Sequence, residues 1–342
     1  MIFVKRKLIS AGIVLVMLGW SAVGVAGVGH YLPGMFNTRD FFVPEKEGVY
    51  TALYLGNYLT NTLKDKNGNN TNNAVFEGPA GNKLTANLDT HIDLNIISPV
   101  FMWNTGYKIF GADYAMYIAL PFTSTSVGAT LSAFSNINLE QQANFRGTSV
   151  SGSNNGTIGL NDIYVQPLWL DWRGKHYDIA AGYGFYAPTG KYSPDGGANN
   201  IGLGFWAHQL QLAGAYYPFD NQGTALTLAG TYEINQKTAG KSFVQGSHFT
   251  LNWGIDQFLP ITDDVLLNIG PAGYLQWQVQ ANHGADQPQF LNSNNRVYGV
   301  GGQIGVAAPK LNSQVTFHYF TEFDAQARPQ GNYAGLTAAL GF

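Results

Sequence analysis

The sequence predicts an all-β fold, a transmembrane antiparallel up-and-down β-barrel of about twelve strands. Apolar and polar residues alternate in segments of about ten residues, and the spacers between these segments are alternately long and short, as in bacterial outer-membrane barrels. The last segment ends on an aromatic residue, with apolar side chains at every second position. These side chains are Ala334, Leu336, Ala338, Leu340 and Phe342. This period of two predicts a closing strand with one face toward lipid.

Twelve segments carry the alternation. The predicted strands are residues 48–58, 86–98, 111–123, 158–172, 177–187, 201–217, 223–234, 245–258, 265–280, 296–308, 314–321 and 332–342. An even number of strands places both termini on the periplasmic side. The connection 99–110 is long for a periplasmic turn, so a barrel of thirteen or fourteen strands is the alternative.

The spacers give the predicted topology. The connections after the first and third strands, residues 59–85 and 124–157, are long and rich in Asn, Ser and Gly. Several connections after even-numbered strands have four to six residues, for example 173–176 and 259–264. Outer-membrane barrels have short periplasmic turns and longer outer loops, which predicts the short connections on the periplasmic side.

The second predicted strand shows how the two faces are assigned. One face carries Leu88, Thr90, Ile92, Leu94 and Ile96, and the other carries Asp89, His91, Asp93 and Asn95. We expect the first face to meet lipid and the second to line a wet lumen. The same rule turns Phe249, Leu251, Trp253 and Ile255 of strand eight toward lipid and leaves His248, Thr250, Asn252 and Asp256 on the polar face. In strand eleven it places Thr316, His318 and Glu322 inside.

Composition excludes several other classes. Charged residues make up 11% of the chain, against about 25% in an average soluble domain, and aromatic residues make up 14%. Cysteine is absent, so no thiolate metal site or cysteine nucleophile is possible. The net charge is -3, and removal of Lys5, Arg6 and Lys7 makes it -6. This charge argues against nucleic acid as a partner, and no cofactor is predicted.

The first 26 residues are typical of a secretory signal peptide. Lys5, Arg6 and Lys7 precede an apolar stretch, and Gly24 and Ala26 supply the small residues before a cleavage site. We therefore divide the chain into a signal peptide at 1–26, a segment at 27–46 and a barrel at 47–342. The alternative for the first stretch is an uncleaved membrane span, for which its apolar core is short.

The segment 27–46 is rich in aromatic residues and proline. It holds Phe36, Phe41 and Phe42 between Pro33 and Pro44. A barrel of twelve strands lies between the small barrels that side chains fill and the large ones that hold an aqueous channel. We hypothesise that this segment folds inward as a plug and forms part of a solute path. The alternative is a loose periplasmic tail.

Tyrosine and tryptophan cluster near the predicted strand ends. An interfacial girdle accounts for most of them. Some of those that share the polar face can instead form an aromatic pathway, and the sequence does not separate the two groups.

The sequence contains no recognisable catalytic motif. It has no His-Glu-x-x-His and no Gly-x-Ser-x-Gly. Asp89, His91 and Asp93 share one strand face and could bind a cation, but a polar lumen wall explains them more simply. An outer-membrane phospholipase is the enzymatic alternative, and it needs a Ser beside a His on adjacent strands, which we cannot identify from the sequence. A structural or adhesive barrel with Asn-rich loops is a third alternative.

Several motifs resemble the outer-membrane family of meta-pathway phenol degradation proteins. They lie at 29–34, 161–167, 187–192, 232–235 and 319–323, and together span most of the chain beyond the signal peptide. The family pattern usually has Gly before the Asp of the second motif, where this chain has Asn161. The resemblance implies a non-enzymatic channel for passive uptake of hydrophobic, often aromatic, small molecules that feed a catabolic pathway.

From the resemblance and the polar faces together, we place the solute path along a set of twelve residues. They are His30, Tyr31, Phe36, Phe41, Phe42, Asp89, His91, Asp93, Asp162, Glu233, His318 and Glu322. The expected partners are outer-membrane lipid, lipopolysaccharide and a small hydrophobic solute, and the protein is expected to be a monomer or a weak oligomer. No metal is expected.

Overall fold

The structure is a computed structural model that describes residues 29–71, 73–77, 83–135, 148–155, 158–195, 200–287 and 293–342. The predicted signal peptide lies outside the described residues. No helix in these ranges is long and apolar enough to cross a membrane.

Sixteen strands form one antiparallel sheet in the described residues. Their bounds are β1 Gly48–Leu63, β2 Asn73–Glu77, β3 Lys83–Ile109, β4 Ala112–Ala119, β5 Phe122–Ser135, β6 Thr148–Asn155, β7 Gly159–Leu160, β8 Ile163–Arg173, β9 Tyr177–Ala187, β10 Ala207–Tyr216, β11 Thr224–Asn235, β12 His248–Pro260, β13 Leu266–Gln278, β14 Arg296–Ala308, β15 Ser313–Gln326 and β16 Pro329–Gly341. A short 3-10 turn at Pro309–Leu311 joins β14 to β15.

The sheet closes on itself as a barrel of twelve strands, which confirms the predicted fold class. β1 pairs with β16 on one side and with β3 on the other, so the ring has no open edge along its membrane wall. β4 and β5 occupy one position in succession, with Leu120 and Pro121 between them. The backbone bonds Leu120 N to Pro99 O (2.9 Å) and Asn161 N to Pro121 O (2.7 Å) hold the wall together at this break.

The third predicted strand and the connection before it differ from the prediction. Most of 99–110 belongs to β3, and a two-residue turn at Phe110 and Gly111 leads into β4. Both turn residues have positive φ, 51° and 81°, as hairpin turns require. Phenylalanine is not a usual residue at such a position, so the sequence gives no turn signal there.

One end of the barrel, called here the turn end, carries Gly48 and the short connections; the opposite end is called the loop end. At the loop end β3 and β5 continue beyond the ring and add β2 and β6, so part of the predicted loops 59–85 and 124–157 is strand. We call this extension of β1, β3 and β5 beyond Asn57 and Asn95, with β2 and β6, the outer sheet.

The outward face of the wall is mostly apolar, and we call it the apolar band. On β12 it carries Phe249, Leu251, Trp253 and Ile255, with Gln257 before Leu259, and on β1 it carries Val49, Thr51, Leu53 and Leu55. On β1 and β3 the band ends at Asn57 and Asn95, which lie opposite each other on the two strands.

A charge placed on this band should destabilise the barrel in its membrane. Leu228 lies on the outward face of β11, where 57% of its surface is exposed. We expect Leu228→Arg to lower the free energy of unfolding by about 2–4 kcal/mol, because a cation would enter hydrocarbon. Urea titration of protein folded in lipid vesicles measures this effect. Asn221→Arg, in the exposed turn before β11, is the matched control and should leave the midpoint unchanged.

Candidate solute path

Residues 29–44 lie inside the barrel and contact its inward-facing side chains from the loop end to the turn end. We call this stretch the inner segment. It hydrogen-bonds to β11 at Glu233, to β12 at Asp256 and to β8 at Asp171. These three acids are at most 2% exposed. Since the segment meets several strands of the ring, it occupies the lumen.

At the loop end His30 lies between two carboxylates. Its Nε2 is 3.0 Å from Asp162 Oδ2, and its Nδ1 is 3.6 Å from Glu233 Oε1. Burial alone would lower the pKa of the His30 imidazole, but its contacts with Asp162 and Glu233 outweigh this and raise it. Glu233 also accepts the backbone N–H groups of His30 (2.9 Å) and Tyr31 (2.8 Å), which fixes the start of the segment.

The middle of the inner segment is held by Asp256. This fully buried carboxylate accepts hydrogen bonds from Arg39 Nε (2.6 Å), Thr38 Oγ1 (3.0 Å) and Asn268 Nδ2 (3.1 Å). The Arg39 guanidinium also lies 4.6 Å from the centre of the Phe258 ring. Charge-assisted bonds of this kind are stronger than neutral ones, so Asp256 is the main polar anchor here.

At the turn end the segment leaves the lumen beside β8 and β3. Val43 N donates to Asp171 Oδ2 (3.1 Å), and Asn104 Nδ2 donates to the carbonyl of Pro44 (2.8 Å). Arg173 also donates to the carbonyl of Val43. The backbone is therefore tied to the wall just before β1 begins.

Between these polar anchors the segment packs through apolar side chains. Phe41 and Phe42 lie in a buried cluster with inward-facing alanines of β9, β10 and β11. Leu32 and Met35 pack against a second cluster that contains Tyr58 and Phe320. The segment therefore packs on both apolar clusters of the lumen wall.

A continuous row of aromatic rings runs along the inner wall and includes one ring of the inner segment, His30. We call it the aromatic ladder, and its members in order are Phe205, His30, Tyr186, Tyr164, Tyr117 and Trp169. Successive ring centres are 4.9, 4.6, 4.5, 5.4 and 5.4 Å apart. These distances are those of favourable aromatic pairs. The row links residues near the loop end to Trp169, which is 2% exposed and donates to the carbonyl of Phe41.

The inner segment carries a second, shorter row. Phe36 lies 6.0 Å from Tyr31, 5.8 Å from Phe41 and 5.6 Å from Tyr54 of β1, measured between ring centres. The structure therefore separates the aromatic residues that the sequence left unsorted. Tyr54, Tyr164 and Trp169 face inward, whereas Tyr177, Tyr216 and Trp103 are about half exposed on the outer wall.

His318 and Glu322 lie on the inward face of β15, as predicted. His318 Nδ1 is 3.0 Å from Asn37 Oδ1 of the inner segment. Glu322 accepts hydrogen bonds from the hydroxyls of Tyr58 (2.7 Å) and Tyr274 (3.1 Å). Together with His30, Tyr31, Phe36, Phe41, Phe42, Asp162 and Glu233, these residues line or fill one lumen.

The predicted facing of β3 is wrong, and it changes the position of three proposed path residues. Asp89 and His91 are exposed and share the outward face with Asp93, whereas Ile92 and Ile96 are buried on the inward face. The prediction placed apolar side chains toward lipid, but this part of β3 belongs to the outer sheet. Its outside is polar, and its inside packs on the lumen clusters through Leu94.

The outward residues form polar contacts among themselves. Asn57 Nδ2 donates to Asp93 (2.7 Å), and His91 Nδ1 is 2.7 Å from Asn61 Oδ1. Ser126 of β5 lies opposite Asp93, two residues from the position opposite His91, but the described structure shows no hydrogen bond from Ser126 to His91. The described residues also include no group of three His, Asp or Glu side chains arranged to hold a metal.

Sequence reasoning missed Tyr117, Tyr164 and Tyr186 as a connected group. These rings meet only because neighbouring strands bring them together, as in the pairing of Tyr164 of β8 with Tyr186 of β9. The sequence of a single strand does not show how it is aligned with its neighbour. Asp256 was placed on a polar face but not singled out. An acid at the end of an inward face, opposite an arginine in the segment, is the signal that could have found it.

A family model and a solved outer-membrane structure agree with this architecture. A family model described as "Putative MetA-pathway of phenol degradation" matches residues 60–338. The fold resembles the COG4313 outer membrane channel from Pseudomonas putida F1, with 14% identity, a TM-score of 0.58, and coverage of 90% of this chain and 100% of that chain. The β domain of the Bordetella autotransporter Brka has 9% identity, a TM-score of 0.45, and coverage of 87% and 100%. No curated protein sequence matches.

Proposed function

Because the chain belongs to this phenol-degradation family, we propose that it is an outer-membrane channel for passive uptake of small aromatic molecules. The observation that carries the proposal is the aromatic ladder. Its rings form an unbroken row from the loop end of the lumen to Trp169. A flat apolar solute can exchange contact with one ring for contact with the next, so it crosses without a large desolvation step.

The proposed orientation has the turn end and both termini in the periplasm. The connections at the turn end are short, and the outer sheet extends from the opposite end, which fits the usual arrangement of outer-membrane barrels. Residues 1–26 then act as the cleaved signal peptide, and the segment 27–46, which includes the inner segment, acts as a plug. The partners are outer-membrane lipid and lipopolysaccharide on the outside and the solute on the inside, with the protein as a monomer or a weak oligomer.

The solute enters along the inner face of the outer sheet. Ile92, Leu94 and Ile96 face inward there and continue into the cluster of Tyr58 and Phe320. Polar Asn57 and Asp93 cover the outside of the same strands. An apolar molecule is therefore sheltered before it reaches the ladder. Movement of the inner segment takes His30 away and opens the way to the ladder rings of the wall, Tyr186, Tyr164, Tyr117 and Trp169. The anchors at His30, Asp162 and Glu233 hold the segment in the closed state.

A non-enzymatic role fits these residues better than lipid hydrolysis. The Ser126 hydroxyl would need His91 within hydrogen-bond reach to act as a nucleophile. The calcium-dependent release of fatty acid from vesicles by the purified protein is the direct check on this alternative. A structural or adhesive role gives no reason for a connected inward row of aromatic rings.

Two tyrosines on β9 provide the test of the ladder. Tyr186 faces inward, and Tyr183 faces outward and bonds His208 (2.9 Å). In cells that lack the native gene, we expect Tyr186→Leu to raise the KM for uptake of radiolabelled phenol about fivefold, because one aromatic contact is lost. Tyr183→Leu is the matched control and should leave the KM unchanged.

Uptake that is equal with and without the gene, at limiting phenol, would contradict the channel itself. Equal KM values for the two variants would contradict the ladder as the path while leaving the channel in place. Surface expression is compared by protease accessibility of the outer loops.

A further inference from the structure

We propose that the alanine-lined floor beneath Phe41 and Phe42 is a binding subsite for a single aromatic ring that carries one hydroxyl group. We call it the alanine floor, and its residues are Ala180, Ala213, Ala215, Ala225, Thr227 and Ala229. The proposal rests on the proposed uptake function and adds a recognition site and a competition mechanism to it.

The strand register brings these small side chains together. Ala213 of β10 pairs with Ala180 of β9 on one side and with Ala229 of β11 on the other, so three alanines lie in one row across the wall. All three are at most 3% exposed. A row of this kind leaves depth for a ring above it, and the depth is filled by the inner segment.

The occupants of the floor show what fits there. Phe41 and Phe42 are the segment side chains in the same buried cluster as the alanines, at 3% and 8% exposure. Their phenyl rings have the size and shape of the proposed solute. When the segment moves, a free aromatic ring can take the same place, and a bound ring prevents the segment from returning.

Thr227 supplies the polar half of the subsite. Its neighbours along β11 on the inward face are Ala225 and Ala229, and its cross-strand partners are Ala215 and Gly254. The residue is 3% exposed, and its Oγ1 has no hydrogen-bond partner in the part of the chain that the structure describes. A buried hydroxyl without a partner carries a cost that a ligand hydroxyl can remove.

The geometry therefore predicts tighter binding of an aromatic ring with a hydroxyl group than of a ring without one. Both would pack on the alanines, and only the hydroxylated ring would satisfy Thr227. Two buried carboxylates flank the floor, Asp178 opposite Ala215 and Asp256 opposite Ala225. Both already accept hydrogen bonds, from Tyr217 and Arg39 respectively, so the ligand needs no charged group.

The test uses the full chain in lipid nanodiscs and two ¹⁹F NMR probes, 4-fluorophenol and 4-fluorotoluene, with empty nanodiscs subtracted. Wild type should bind 4-fluorophenol more tightly. Thr227→Val, which keeps the shape, should weaken 4-fluorophenol binding about fivefold and leave 4-fluorotoluene unchanged. Thr227→Ser should retain the preference, and Thr321→Val on the outward face of β15 is the matched control.

A second arm tests the competition. Replacing both Phe41 and Phe42 by Ala in the full chain should strengthen binding of both probes, because the internal rings no longer occupy the floor. Unchanged selectivity in Thr227→Val, or weaker binding after the double replacement, would overturn the subsite. If wild type binds neither probe while phenol uptake still depends on the gene, the subsite fails and the channel stands.

Discussion

Deleting residues 28–44 should increase the single-channel conductance of the protein about fivefold or more. These residues contact inward-facing side chains from His30 at the loop end to Val43 at the turn end. Twelve strands enclose more space than the eight-stranded barrels that wall side chains fill. Removal of the segment leaves a polar, water-filled lumen in the same closed ring. Planar bilayer recordings measure the change.

The ring itself should survive this deletion, since β1 pairs with β16 and β3 through residues from Gly48 onward. A matched control removes residues 65–69, an exposed turn beyond β1, and should leave conductance as in wild type. If the chain without residues 28–44 folds and conducts as wild type does, the segment does not obstruct the lumen.

Asp256→Ala should release the middle of the inner segment. The substitution leaves Arg39 partly buried without its carboxylate and removes the acceptor of Thr38. Because the Arg39 side chain is 27% exposed, we expect a loss of about 2 kcal/mol, below that of a fully buried pair. The docked segment then opens about thirtyfold more often.

Hydrogen exchange of the amides of residues 38–43 measures this opening, and conductance should rise with it. Asp264→Ala is the control, because Asp264 pairs with Lys310 at the exposed turn end and touches no part of the segment in the described structure. Equal protection of these amides in wild type and Asp256→Ala would show that other contacts hold the segment.

The strand number and most strand facings follow from the sequence because a period of two is a local property. In β12 the predicted inward residues His248, Thr250 and Asn252 are buried, and in β15 the same is true of Thr316 and Glu322. The alternation also locates the polar half of the lumen. For these strands the burial of one face against a single lumen fixes the pattern.

The predicted facing of β3 is wrong because the sequence of a strand does not reveal whether lipid or water lies outside it. Residues 86–94 alternate as a lipid-facing strand would, but they lie beyond Asn57 and Asn95, where the outward face becomes polar. There the outside is aqueous and the inside packs on Tyr58 and Phe320. The alternation of apolar and polar residues identifies two faces of the strand but does not identify which face meets water.

The sequence predicts that the inner segment is buried, but it does not predict which wall residues the segment contacts. Its phenylalanines indicated burial, whereas the match of Arg39 to Asp256 joins residues 217 positions apart. The alanine floor is also invisible along the chain, because Ala180, Ala213 and Ala229 meet only through register.

The polar edge of the apolar band at β1 and β3 has a consequence for the surrounding bilayer. Asn57 lies opposite Asn95, and its Nδ2 donates to Asn95 Oδ1 (2.9 Å) and to Asp93 Oδ1 (2.7 Å). Acyl chains must end before these side chains, because hydrocarbon offers no hydrogen-bond partner to an amide or a carboxylate. The two asparagines therefore set the depth at which the protein sits, with lipid headgroups level with them.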